Sequence, residues 1–286
     1  MANDTSPADC MRLLTLNCML VPTSGDIRAR AAQAAAWLLA HARECDVLVL
    51  TEVMDAFGSS ILETALAKVW RYQTRPLQPK DIPNVVNGGV LLASKWPLDN
   101  AFRLVFQQSS SSDALASKGV VAATVRCPLW RTPFVVLGTH LQSMARKEAV
   151  RQNQLQELEW LLHSYLPTHA GSLPRVVAGD WNFEQRGSTL LADIGVHAIL
   201  PPASDGPSYD LEHNALAAKR KERDDTTALL DVVGIDQRHT PFVFYAMSHV
   251  VRPRNADGSP FTDHEAVLAV VAAVRAEDSG HPHHAE

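Results

Sequence analysis

Apolar residues in this chain fall into short unbroken runs, and stretches with helical periodicity lie between them. A run of four to eight apolar residues bounded by turn formers suits a buried strand better than a helix. Residues 12–20 (RLLTLNCML) and 46–54 (DVLVLTEVM) therefore predict strands, and residues 27–43 (IRARAAQAAAWLLAHAR) between them predict an Ala-rich amphipathic helix. The plan recurs further along. Residues 133–143 (PFVVLGTHLQS) predict a strand, and residues 146–166 a helix with Leu155, Leu158, Leu161, Leu162 and Tyr165 on one face. Residues 175–182 (RVVAGDWN) predict the next strand, and 88–98, 118–127, 229–236 and 264–274 predict more. Many strands with few long helices imply an α/β protein in which two packed sheets are flanked by helices, built as two related halves.

Composition narrows the partners. Lys and Arg total 26 against 31 Asp and Glu, a net charge of -5, so strong non-specific binding to nucleic acid or to an anionic membrane is not expected. The apolar runs are too short to span a bilayer, and the first residues carry neither a basic leader nor an apolar signal core. We expect a soluble chain, cytoplasmic, or secreted if a leader has been removed. Cys10, Cys18, Cys45 and Cys127 are dispersed with no CxxC pair, which predicts reduced structural thiols and no zinc site. The charged stretch 216–227 (LAAKRKERDDTT) is expected to be solvated and not a binding patch. The terminal HPHHAE predicts a disordered tail without an ordered metal site.

Several of the strands end in groups suited to metal or phosphate: Asn17, Glu52, His140, Asp180 with Asn182, and Asp263 with His264. Each has a plain explanation alone. Asn17 can cap a turn, Glu52 can be a surface carboxylate, His140 a satisfied core imidazole, and Asp180 to Asn182 an Asx turn. The recurrence argues otherwise, because ligand sites in open α/β sheets form at strand ends where side chains from separate segments converge. Gly179 is expected to make the bend that lets Asp180 and Asn182 reach one point while Trp181 packs away. Oxygen donors of this kind suit Mg²⁺ better than zinc. Among the imidazoles, His264 is the best candidate general base, since an ordinary histidine titrates near neutrality.

Five ordered blocks, LTLNC, LVLTEV, GTHLQS, AGDWNF and TDHEAV, resemble the endonuclease/exonuclease/phosphatase superfamily of DNase I-like fold. Within it the chain is most similar to the neutral sphingomyelinase and bacterial sphingomyelinase C branch, through NGGVLLASKWPL, DALASKGVV and THLQS followed by RQNQLQEL. The resemblance implies a four-layered α/β sandwich of two mixed β-sheets. It also implies one catalytic domain over residues 11–276, between a flexible segment 1–10 and a His-bearing tail 277–286. It further implies an Mg²⁺-dependent phosphodiesterase, with Mn²⁺ as a substitute, that releases phosphocholine from sphingomyelin or a related choline phospholipid. Such an enzyme would work as a monomer in transient contact with a membrane surface.

Implied roles follow residue by residue. Glu52, Asn17 and Asp263 would hold metal or phosphate, and Asp231 would orient His264. Asp180 would help polarise the attacking water or a second metal, Asn182 would donate to a phosphate oxygen, and His140 would stabilise the transition state from the opposite side. Lys118 would meet the substrate phosphate or support the serine-rich loop 109–112. The branch's membrane-entering aromatic hairpin has no clear counterpart, since residues 250–265 offer only Phe261 as an apolar tip. A nuclease or phosphatase of the same superfamily, or an inactive scaffold of the same fold, remain the alternatives.

Overall fold

The computed structural model describes residues 10–75, 86–220, 225–238 and 240–276. The expected N-terminal segment, apart from Cys10, and the expected tail lie outside the described residues. Cys10 itself opens a strand. Among the described residues the strands are β1 (Cys10–Leu20), β2 (Val47–Val53), β3 (Tyr72–Gln73), β4 (Leu91–Ser94), β5 (Leu98–Val105) and β6 (Gly119–Val125), then β7 (Phe134–His140), β8 (Arg175–Asp180), β9 (Val196–Ile199), β10 (Asp231–Asp236), β11 (Phe242–Val251) and β12 (Ala266–Arg275). The helices are α1 (Ile27–Ala40), α2 (Ala56–Leu66), α3 (Glu148–Trp160), α4 (Leu166–Ala170), α5 (Leu190–Asp193) and α6 (Ala215–Arg220).

One sheet has the order β11-β12-β1-β2-β4-β3 and the other β5-β6-β7-β8-β10-β9. The parallel pairs are β1 with β2 and β7 with β8, each joined through a helix as a parallel crossover requires; the other neighbours are antiparallel. Position for position, β1-α1-β2 in the first sheet matches β7-α3-β8 in the second. The expected repeat is therefore present, with the C-terminal hairpin β11-β12 completing the N-terminal half.

Period-two alternation distributes each strand between two cores. Leu13, Val49, Leu92, Val136, Ala178, Val233 and Val271 meet between the sheets. Leu14, Leu16, Leu48 and Leu50 face outward onto Ala34, Leu38 and Leu62 of α1 and α2. On the far side, Leu137, Val177 and Val232 pack on Leu155, Leu158 and Leu162. Strands covered on both faces read as continuous apolar runs, which is why they stood out in the sequence.

Some boundaries differ from expectation. The strand expected over 88–98 is two strands in opposite sheets, because the chain crosses over at Lys95–Pro97 between β4 and β5. The helix expected over 146–166 widens into a π-type turn at Leu161–Tyr165 before α4. Phe261 is no tip: it is 2% exposed and packs against Trp37 at 6.3 Å between ring centroids. The exposed large apolar side chains of the hairpin are Tyr245 and Met247 on β11. Among the described residues no helix is long and apolar enough to cross a membrane.

Gly179 does not bend the chain. It stays in the ladder between Thr139 and Val232, at φ 145°, and a Cβ there would lie 1.9 Å from the Thr139 carbonyl oxygen. The turn falls instead at Asn182, whose φ is 56°. Gly179→Ala should therefore destabilise the protein by about 1 to 3 kcal/mol, since backbone must shift to admit the methyl group. Chemical denaturation checks this, and an unchanged midpoint would contradict it.

Candidate active site

The carboxyl ends of the parallel strands and the amino ends of their antiparallel partners share one edge of the sandwich. In the second sheet, His140, Asp180 and Asp231 are register neighbours in a single row across β7, β8 and β10. In the first sheet, Asn17 pairs with Thr51, one residue before Glu52, and β1 bulges immediately afterwards. Asp263 and His264 sit just before β12, where the Thr262 hydroxyl donates to the Asn17 carbonyl at 2.7 Å. All nine residues singled out by the sequence lie at this edge. A cavity of about 340 Å³ opens there, lined by Glu52, Lys118, His140, Asn182, Asp263 and His264, with Met54, Val86, Leu115 and Met144 supplying an apolar side.

His264 and Asp231 form the tightest pair. Nδ1 of His264 lies 2.6 Å from Oδ2 of Asp231, and both groups are buried. Asp231 is fixed in turn, since its backbone N–H donates to the Ser208 hydroxyl at 2.9 Å. Nε2 of His264 faces Asp180 at 3.8 Å. Burial works against the imidazolium, but the charges of Asp231 and Asp180 outweigh it and hold the His264 pKa well above the ordinary value. Burial, followed by the Asp231 charge, pushes the Asp180 carboxyl up to about 7. Asn17 steadies Asp180 with an Nδ2 hydrogen bond of 3.1 Å, while its own Oδ1 accepts from Met19. The turn-capping explanation of Asn17 thus holds, and the same side chain reaches the site.

On the other flank, Lys118 is buried rather than superficial. Its ammonium reaches Asp113 at 2.9 Å, His140 Nε2 at 3.0 Å and the Leu141 carbonyl at 2.7 Å, tying the serine-rich loop to the site through Asp113. Burial and then the Lys118 charge keep the His140 pKa well below the ordinary value, so His140 is neutral. Asn182 donates to the same Leu141 carbonyl at 3.0 Å, and its N–H closes an Asx turn onto Asp180. Trp181 packs away as expected, with its indole N–H on the Val232 carbonyl.

Glu52 adopts φ 54°, with the bare α-carbon of Gly89 against its backbone: a Cβ on Gly89 would lie 3.1 Å from the Glu52 Cα. Strain of this kind in a non-glycine residue is typical of a positioned functional group. Burial and then the nearby Asp263 charge raise the Glu52 pKa. One oxygen each of Glu52, Asp263 and Asp231 is buried without a hydrogen-bond partner. Such oxygens fit a cation. By separation alone Asp180, Asp231 and His264 also qualify, with ligand atoms within 4.8 Å of one another. In that trio the Nδ1 of His264 is engaged by Asp231 at 2.6 Å, which leaves Nε2, 3.8 Å from Asp180, as its free nitrogen.

Sequence reasoning missed Arg220, Ser208 and Tyr209. Arg220 lies 3.2 Å from Asp263 and lines the cavity with Tyr209 and Asp225, so the stretch 216–227 is not merely solvated, although 221–224 lie outside the described residues. Its only sign in the sequence is a cationic cluster shortly before Asp231. Nothing in the local sequence marks Ser208 or Tyr209.

The profile of the Endonuclease/Exonuclease/phosphatase family matches residues 14–209. The chain belongs to this family. Among curated relatives it is similar to sphingomyelinase C of Bacillus cereus, 32% identical over 157 residues, a match covering 48% of this chain and 45% of that protein. It thus spans less than half the length of that relative. Among solved structures, sphingomyelinase C of Streptomyces griseocarneus superposes with a TM-score of 0.75 at 23% identity, covering 91% of this chain and 99% of that one. Beta toxin of Staphylococcus aureus, in a structure with bound magnesium ions, gives 0.77 at 20% identity with the same coverage. These likenesses establish the DNase I-like sandwich for this family member.

Imidazole titration by NMR in the metal-free protein should place His264 above and His140 below the ordinary value of 6.5. Asp231→Asn should move His264 downward, because it removes a negative charge that favours the imidazolium. The reverse order, or an unmoved His264, would contradict the geometry.

Proposed function

We propose that this chain is an Mg²⁺-dependent phosphodiesterase that hydrolyses sphingomyelin or a related choline phospholipid, releasing phosphocholine by attack of water on phosphorus. The observation that carries the reading is a buried His264–Asp231 pair facing a cavity that also holds the unpartnered carboxylate oxygens of Glu52 and Asp263. The similarity to sphingomyelinase C supports the lipid substrate, and the magnesium ions of the beta toxin structure support the metal. The apolar wall of Met54, Val86, Leu115 and Met144 suits a lipid better than a bare nucleotide. Tyr245 and Met247 offer apolar surface for transient membrane contact by a monomer.

Glu52 and Asp263 would hold Mg²⁺, with Asn17 beside them, and Mn²⁺ would substitute. A bound divalent ion supplies neutralising charge for the phosphate oxygens. In the neutral imidazole, a form that the raised pKa makes scarce until a bound cation opposes the imidazolium charge, Nε2 of His264 accepts the proton of the attacking water, while Asp231 holds the ring in the tautomer with hydrogen on Nδ1 and stabilises the imidazolium that forms. Asp180, facing the same nitrogen, orients that water. Asn182, whose amide reaches the Leu141 carbonyl, places a donor where charge builds on the phosphoryl group, and Lys118, held by Asp113, His140 and the same carbonyl, fixes His140 opposite the base.

A panel of sphingomyelin, lysophospholipids, abasic DNA and phosphoinositides with Mg²⁺ present tests the reading. Phosphocholine should be released from sphingomyelin or a close choline phospholipid, EDTA should abolish turnover, and His264→Ala should lose on the order of two to four powers of ten. Efficient cutting of abasic DNA with no lipid touched would overturn the substrate assignment.

A further inference from the structure

Two side-chain cations line the cavity among the described residues, and they are held differently. The Lys118 ammonium is buried, and three acceptors surround it: Asp113, His140 Nε2 and the Leu141 carbonyl. The Arg220 side chain is 35% exposed, and its Nη1 lies 3.2 Å from Asp263 Oδ2. Arg220 is not placed by chance. It is the last residue of α6, and α6 is docked to the segment that carries the base. The buried Asn214 just before the helix donates to the Thr262 carbonyl at 3.0 Å and to Glu265 at 3.3 Å, and Ala217 within the helix is fully buried.

A guanidinium carries five N–H donors in a planar fork that matches phosphate oxygens, and a 3.2 Å approach of Nη1 to one carboxylate oxygen leaves the other nitrogens for another acceptor. The Asp263 carboxylate that holds it is also one of the two expected metal ligands, so a cation there compensates the charge that ties Arg220 down. We propose that Arg220 is a further phosphate-binding residue of this cavity, paired with Asp263 in the resting protein and turning to a non-bridging phosphoryl oxygen when a phosphodiester is bound. This rests on the phosphodiesterase reading and adds a cation from a segment outside the strand ends.

The test uses the full chain with saturating Mg²⁺ and inorganic phosphate as the probe, titrated by calorimetry. Arg220→Ala should weaken phosphate binding roughly tenfold or more, the scale of a lost charge-assisted contact. Arg220→Lys should recover part of it, keeping charge without the fork. Mg²⁺ affinity, measured separately, and the thermal unfolding midpoint should not fall. Unchanged phosphate affinity in Arg220→Ala, no phosphate binding by the parent chain, or a loss that merely parallels lost Mg²⁺ affinity would overturn the proposal. Hydrolysis of the phosphodiester substrate separates the two readings. An Arg220→Ala enzyme with normal KM and kcat sinks the role of Arg220 alone, whereas phosphate held by Arg220 in a parent chain that cleaves no phosphodiester sinks the phosphodiesterase reading alone.

Discussion

Three buried carboxylates, those of Asp180, Asp231 and Asp263, meet the half-buried Glu52 at one edge of this protein, and their mutual repulsion is the constraint around which the site is arranged. Buried like charges are costly unless cations or protons accompany them. The structure answers in three ways. Asp231 is matched by the His264 imidazole, Asp263 by the Arg220 guanidinium, and Asp180 by hydrogen bonds from Asn17 and its own turn. Glu52 keeps an oxygen without a partner. Charge demand of that kind suits the divalent ion proposed for this edge.

The fold concentrates the charges because the two sheets share one order and one pattern of directions. Parallel pairs deliver the carboxyl ends of β1, β2, β7 and β8 to the same edge, and antiparallel β10 and β12 deliver their amino ends. Six chain segments distant in sequence therefore meet at one edge. Packed cores on both faces of each sheet hold them rigidly, which a site of opposed and matched charges needs.

The layered fold was legible because buried strands write themselves as apolar runs, and the strand-end polar residues were legible because they interrupt those runs. Val177 to Asn182 is the plainest case, apart from the location of its bend. The φ of 145° at Gly179 serves a close approach to Thr139, and a sequence shows a glycine without showing which neighbour requires it. Lys118 could not be placed, since burial of a lysine depends on Asp113, His140 and the Leu141 carbonyl, brought in from elsewhere. Arg220 was hidden for the opposite reason: its charged neighbours in sequence imitate a solvated surface. Phe261, the one apolar tip that residues 250–265 offered, is buried against Trp37, a contact between segments more than two hundred residues apart.

The central claim is that the unpartnered Glu52 carboxylate, and not the Asp180, Asp231 and His264 trio, marks where the cation sits. Anomalous diffraction from crystals soaked in Mn²⁺ tests it most directly. We expect a peak against the Glu52 carboxylate on the side shared with Asp263, with the His264–Asp231 hydrogen bond intact. A peak at the trio alone, with none beside Glu52, would contradict it.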